Sequence, residues 1–136
     1  MSVIVTWDND ERTTVRYDFS GSWRWDEFRA AFRQAQEMME GVGHMVDVIA
    51  DFETSGCVPT ETLARLAYVA ARRPTNLGNS VVVGTKVFET TTLRVFGIFY
   101  GEMARAVHYA HSLDRARALL ARSGLHYPLS DQTKSA

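Results

Sequence analysis

The sequence predicts an α/β domain built on a mostly parallel sheet. Three observations carry this. Strand-like and helix-like periods alternate along most of the chain. Residues 46–51, "VDVIAD", are apolar on both faces for most of their length, as in a strand covered on both sides. The chain also opens with two strand-like runs joined by turn residues, so an antiparallel hairpin leads into the parallel part.

The hairpin spans residues 3–7 and 13–20. In the second run Val15, Tyr17 and Phe19 alternate with Thr14, Arg16 and Asp18, the period of a half-buried strand, and "DNDE" between the runs is turn chemistry. A helix follows. Phe28, Ala31, Phe32, Ala35 and Met39 recur at helical spacing, with Arg29, Arg33, Gln36 and Glu40 on the other side. Asp26 and Glu27 suit its first turn, where the helix dipole favours negative charge, and Gly41 and Gly43 stop it. The next strand, residues 44–51, puts Val46, Val48 and Ala50 on one face and Met45 and Ile49 on the other.

A loop then leads to a second helix over about residues 60–73, with Leu63, Leu66, Ala67 and Ala70 inward and Pro74 at its end. Residues 80–84, "SVVVG", read as a third buried strand. Residues 87–103 carry β-branched residues that favour a strand, yet Leu93, Phe96 and Tyr100 keep helical spacing, and the length suits a helix between strands. Residues 106–110 form a last strand. The final helix begins at the cap Ser112, buries Leu113, Ala116, Leu119 and Leu120, and closes at Gly124. The expected order is β-β-α-β-α-β-α-β-α, a single domain over residues 1–124 with a polar, frayed tail over 125–136.

Composition narrows the function classes. A chain of 136 residues can bury about two-thirds of its unfolded surface, enough for a core without metals or disulfides. Fifteen basic against 16 acidic residues give a net charge of −1, and the sequence shows no Lys/Arg cluster on one face, so nucleic acid is not an expected partner. Cys57 stands alone, which excludes an intramolecular disulfide and suits a reducing cytoplasm. The N-terminal stretch lacks the pattern of a signal peptide, and no 18-residue apolar run suggests a membrane span.

Several of these stretches together resemble a known family. Trp23-Arg24-Trp25-Asp26-Glu27-Phe28, Val46-Asp47-Val48-Ile49-Ala50-Asp51, Asn76-Leu77-Gly78 and Val81-Val82-Val83-Gly84 resemble the STAS superfamily, and more closely the SpoIIAA-like proteins of bacteria. The likeness spans about residues 3–122 and rests on packing and turn motifs. It implies the anti-sigma-factor-antagonist fold and a regulatory role through protein contact. In that family an Asp-Ser pair at a helix start carries the phosphorylated serine. Here the pair falls on Pro59-Thr60, with the acid gone and threonine for serine. Thr60 is therefore the candidate phospho-acceptor position, near a helix N-terminus that would favour phosphate. The plain alternative is that Pro59 starts the helix and Thr60 only helps cap it, so phosphorylation is not expected to be obligatory.

Other chemistry finds little support in the residue pattern. Cys57 has no basic neighbour in sequence to activate it. His44, His108, His111 and His126 show no ligand spacing, so no metal and no cofactor are expected. "GVG" follows a helix, the reverse of a dinucleotide fingerprint, and "VVVGTK" lacks the full phosphate-loop spacing. No catalytic residue emerges. The most apolar segment, residues 95–100, is apolar all round, which calls for a cover. Phe88, Leu93, Phe96, Phe99 and Tyr100, with Trp23 and Trp25, are the candidate lining of an apolar pocket or interface. Ala64, Tyr68 and Ala71 form a stripe that suits a homodimer contact.

The expected function is a non-catalytic regulatory module acting through protein contact, by the helix face around Thr60 to Arg73. The second reading is a carrier or sensor of a small apolar, lipid-like ligand held between sheet and helices. It rests on the fold relation that SpoIIAA-like proteins have to CRAL-TRIO lipid-binding domains.

Overall fold

Alternation along the strands decides which face each helix covers. The computed structural model describes residues 2–56, 65–84 and 107–122. Strand β1 (Val3–Trp7) pairs antiparallel with β2 (Thr14–Gly21), in the register Val3 opposite Phe19 and Trp7 opposite Val15. Asn9 closes the turn between them: its Oδ1 accepts the Thr13 backbone N–H at 3.0 Å, and its Nδ2 donates to Thr13 Oγ1 at 2.7 Å. Helix α1 (Trp25–Glu40) carries the chain across to β3 (Val46–Ser55), which lies parallel to β2. The Glu27 carboxylate reaches back to accept the Arg24 backbone N–H at 2.9 Å, so the first-turn acid expected from sequence closes the helix start.

Helix α2 (Leu66–Ala71), strands β4 (Leu77–Val83) and β5 (Val107–Ala110), and helix α3 (Leu113–Arg122) complete the described elements. The sheet order is β1-β2-β3-β4-β5, with only the first pair antiparallel. The α/β class and the hairpin entry are thus as predicted.

Two cores follow from the alternation. Val3, Val5, Val15, Tyr17, Phe19 and Val46 turn to one face, where α1 buries Ala31, Phe32, Ala35 and Met39 against them. On the other face Ile49, Val81 and Val83, all without solvent exposure, meet Ala116 and Leu120 of α3. A strand apolar on both sides is therefore needed at β3, between two helix layers.

The structure corrects one reading of the loop. Strand β3 does not end at Asp51 but continues to Ser55, where Thr54 pairs with Ser20 and Ser55 with Gly21. Asp51 still shows its turn habit, since its Oδ1 accepts the Glu53 N–H at 2.9 Å where the register shifts. Ladder pairing with β2, and the Phe52 ring stacked on Phe19, outweigh that local preference. The next strand likewise begins earlier than residue 80, at Leu77, because Leu77 pairs with Val46. Described helix in the second crossover covers Leu66–Ala71 only. Residues 57–64, 85–106 and 123–136, which include the expected helix over 87–103, the helix start at Thr60 and the tail, lie outside the described residues. Among those described, no helix is long and apolar enough to cross a membrane.

The Asn76-Leu77-Gly78 stretch has a packing explanation. Asn76 Nδ2 donates to the carbonyls of Met39 and His44, each at 2.9 Å, tying the end of α1 to the start of β4. Gly78 leaves room for the Asp47 carboxylate, whose Oδ1 accepts the Asn79 N–H at 2.9 Å; a Cβ at 78 would collide with that same oxygen. Asp47 is 3% exposed, so displacing it strands a buried charge. Gly78→Ala is expected to destabilise the fold by about 1–3 kcal/mol, measurable by urea unfolding. An unchanged midpoint would show that the carboxylate yields freely.

Candidate functional site

The two tryptophans singled out from sequence are both core residues, each 4% exposed, and both pack on Phe28, at 6.3 Å for Trp23 and 5.5 Å for Trp25. Trp23 lies 4.8 Å from Phe19, which stacks on Phe52 at 4.1 Å, and its indole Nε1 donates to Ser55 Oγ at 2.8 Å. Its ring nitrogen thus meets the partner that a buried indole requires. Trp25 packs 5.5 Å from Phe28 and meets Tyr68 edge-on at 5.9 Å. The other proposed pocket residues, Phe88, Leu93, Phe96, Phe99 and Tyr100, and the candidate acceptor Thr60, lie outside the described residues. The carboxyl ends of β3 and β4, where α/β sheets usually bind ligands, run into those same segments.

Tyr68, on the stripe that suits a homodimer contact, turns its ring toward α1, against Trp25 and Phe32. The reason is local: α2 crosses the aromatic start of α1, where a ring gains more by packing than by exposure. Arginines then gather around it. The Arg72 guanidinium carbon lies 3.9 Å from the Tyr68 ring centroid and that of Arg29 lies 5.9 Å away, while Arg65 sits 5.4 Å over Trp25. Donation from Arg29 toward the phenol, opposed by desolvation and reinforced by the charges of Arg29, Arg72 and Arg33, holds the Tyr68 phenol below its ordinary range. Arg29, Arg33, Arg65, Arg72 and Arg73 are all exposed. No single stretch of sequence shows this basic face, because two helices supply it. A pairing of the 29/33 helical stripe with Arg72 and Arg73 would have been the only available signal.

A second polar region lies under α3, at the N-terminal ends of the parallel strands. A cavity of about 450 Å³ there is lined in part by Asp8, Thr14, Asp47, Ile49, Arg117 and Leu120. The Asp8 side chain is 5% exposed and is held by both arginines. Arg117 grips it with two donors, Nε to Oδ2 at 3.0 Å and Nη2 to Oδ1 at 2.8 Å, and Arg16 Nη1 reaches Oδ1 at 2.6 Å. Arg16 Nε also bonds Asp18 at 3.0 Å. Burial by itself raises the Asp8 carboxyl, but the hydrogen bonds and charges of Arg117 and Arg16 outweigh it and hold the group below its usual range. This arrangement clamps α3 to the hairpin, with three guanidinium donors on one carboxylate. Among the described residues, no group of three His, Cys, Asp or Glu side chains converges on a metal site. His108 and His44 have ordinary partners, Asn79 Oδ1 at 3.3 Å and the Arg12 carbonyl at 2.9 Å.

No family model, curated protein or solved structure matches the chain.

Proposed function

We propose that the chain is a STAS-like binding module without catalysis of its own, regulating a partner protein by direct contact through the face that α1 and α2 share. The observation that carries this reading is the exposed arginine group around Tyr68, presented on a rigid aromatic base. An exposed cluster of arginines and aromatics has the composition of interface hot spots. The α/β architecture with an antiparallel first strand pair is compatible with a STAS-like domain, and exposed Arg65, Ala71, Arg72 and Arg73 belong to the stretch named from sequence. By contrast, the polar groups under α3 are mutually engaged and read as a structural clamp.

A photo-crosslinking amino acid at Ala71, exposed beside Arg72, tests the contact. In cells expressing the full chain, this position is expected to trap one discrete protein. The same probe at Ile4, 48% exposed on the opposite face of the sheet, is expected to trap none. Equal labelling from both positions would remove the reading.

A further inference from the structure

Resting on that contact reading, we infer that the α1–α2 face takes an acidic polypeptide segment, held by the guanidinium groups of Arg29, Arg33 and Arg72 around Tyr68. The first argument is charge. Among the described residues no ion pair joins any of these three arginines to a carboxylate. Two of the guanidinium carbons lie 3.9 and 5.9 Å from one ring centroid, so these like charges are at most about 10 Å apart, comparable to the roughly 8 Å screening length at physiological salt. The ring's π face offsets part of the repulsion; an incoming carboxylate would offset more.

The second argument is hydrogen-bond capacity. Each guanidinium carries several N–H donors in a planar fork that matches carboxylates. Arg72 spends Nη1 on the Tyr68 carbonyl at 3.5 Å, and the Arg29 guanidinium carbon lies 5.9 Å from the Tyr68 ring centroid. Among the described residues none of these exposed guanidinium groups is in an ion pair, so an incoming carboxylate breaks none there.

The third argument separates an acidic polypeptide from a nucleic acid. Nucleic-acid surfaces add open aromatic platforms on which bases stack. Tyr68 offers none, because Arg72 covers its ring at 3.9 Å and Trp25 meets it edge-on. The chain's net charge of −1 also supplies no long-range attraction for an extended polyanion. A local basic patch on a nearly neutral protein suits a short acidic segment.

The test titrates the full chain by calorimetry with a capped peptide of alternating Asp and Glu, and with its Asn/Gln counterpart. The acidic peptide is expected to bind saturably and the neutral one not to bind. The combined variant Arg29→Gln/Arg33→Gln/Arg72→Gln is expected to weaken binding by about tenfold or more, as loss of three exposed charge contacts implies. Arg115→Gln on α3 is the control and should leave affinity unchanged. Because all three substitutions are at exposed positions, thermal unfolding should stay close to wild type, which separates lost binding from lost fold.

No saturable binding, equal binding of the neutral peptide, or unchanged affinity in the triple variant would overturn the inference. Tighter binding of inorganic phosphate or duplex DNA to the same arginines would also overturn it, by assigning the face to those anions. A crosslink from Ala71 without acidic-peptide binding leaves the contact reading standing and removes only the acidic partner. Charge-dependent peptide binding without a crosslink supports the acidic site and removes the cellular contact.

Discussion

Phe19→Ala is expected to lower stability by about 3–5 kcal/mol, the range for truncating a buried aromatic. Phe19 is 2% exposed and sits at the centre of the ring cluster. It stacks on Phe52 at 4.1 Å and lies 4.8 Å from Trp23, 5.8 Å from Phe28 and 6.0 Å from Tyr17. Removing its ring opens a void between β2, β3 and the segment entering α1, and none of the neighbouring rings can fill it without leaving its own contacts. Such a loss is a large fraction of the roughly 5–15 kcal/mol that holds an ordinary domain together. Urea unfolding measures it directly. A double-mutant cycle with Phe52→Ala should show a coupling of about 0.5–1.5 kcal/mol for the stacked pair. A loss below about 1 kcal/mol would mean that the cluster repacks freely, against the close packing drawn here.

The second large effect concerns the clamp under α3. Asp8→Asn keeps the side chain's size but removes the charge that Arg16 and Arg117 share. Hydrogen bonds to charged groups are worth about 1.5–3 kcal/mol, and exposure of the arginines, 43% at Arg117 and 24% at Arg16, brings the expected loss to about 2 kcal/mol. The pH dependence has a definite sign. The folded carboxyl is held below its ordinary value of 3.8, so its contribution is fully present above that value. It disappears as pH falls through the lowered folded value, where protonated Asp8 comes to resemble asparagine. Wild type and Asp8→Asn should therefore differ by a constant amount near neutral pH and converge in acid. A difference that persists in strong acid would mean that shape, rather than charge, carries the clamp.

Much of the fold was legible because its signals are short in range. The alternation of Val15, Tyr17 and Phe19 is a property of neighbouring residues, and it assigned them to the buried face. The same holds for Ala31, Phe32, Ala35 and Met39, which the helical period set inward and the structure buries. Where a distant segment overrode a local signal, sequence reasoning fell short. Asp51 and the polar residues after it suggested a loop, but pairing with β2, more than 30 residues earlier, extends β3 to Ser55. Nor does the helical stripe of Tyr68 show that α1 brings Trp25 and Phe32 against its ring.

The α/β class, the hairpin entry, the two-sided burial of β3 and most of the inward-facing residues can be read along the chain, because periods of two and 3.6 are written locally. What the polar residues do depends on contacts between distant segments. Asp8 and Arg117 meet across 109 positions, and Trp23 finds Ser55 across 32. The basic face around Tyr68 exists only once α1 and α2 lie side by side. The physical reason is that burial follows the local pattern of apolar side chains, whereas an ion pair or a charged surface depends on which distant segments the closed chain brings together.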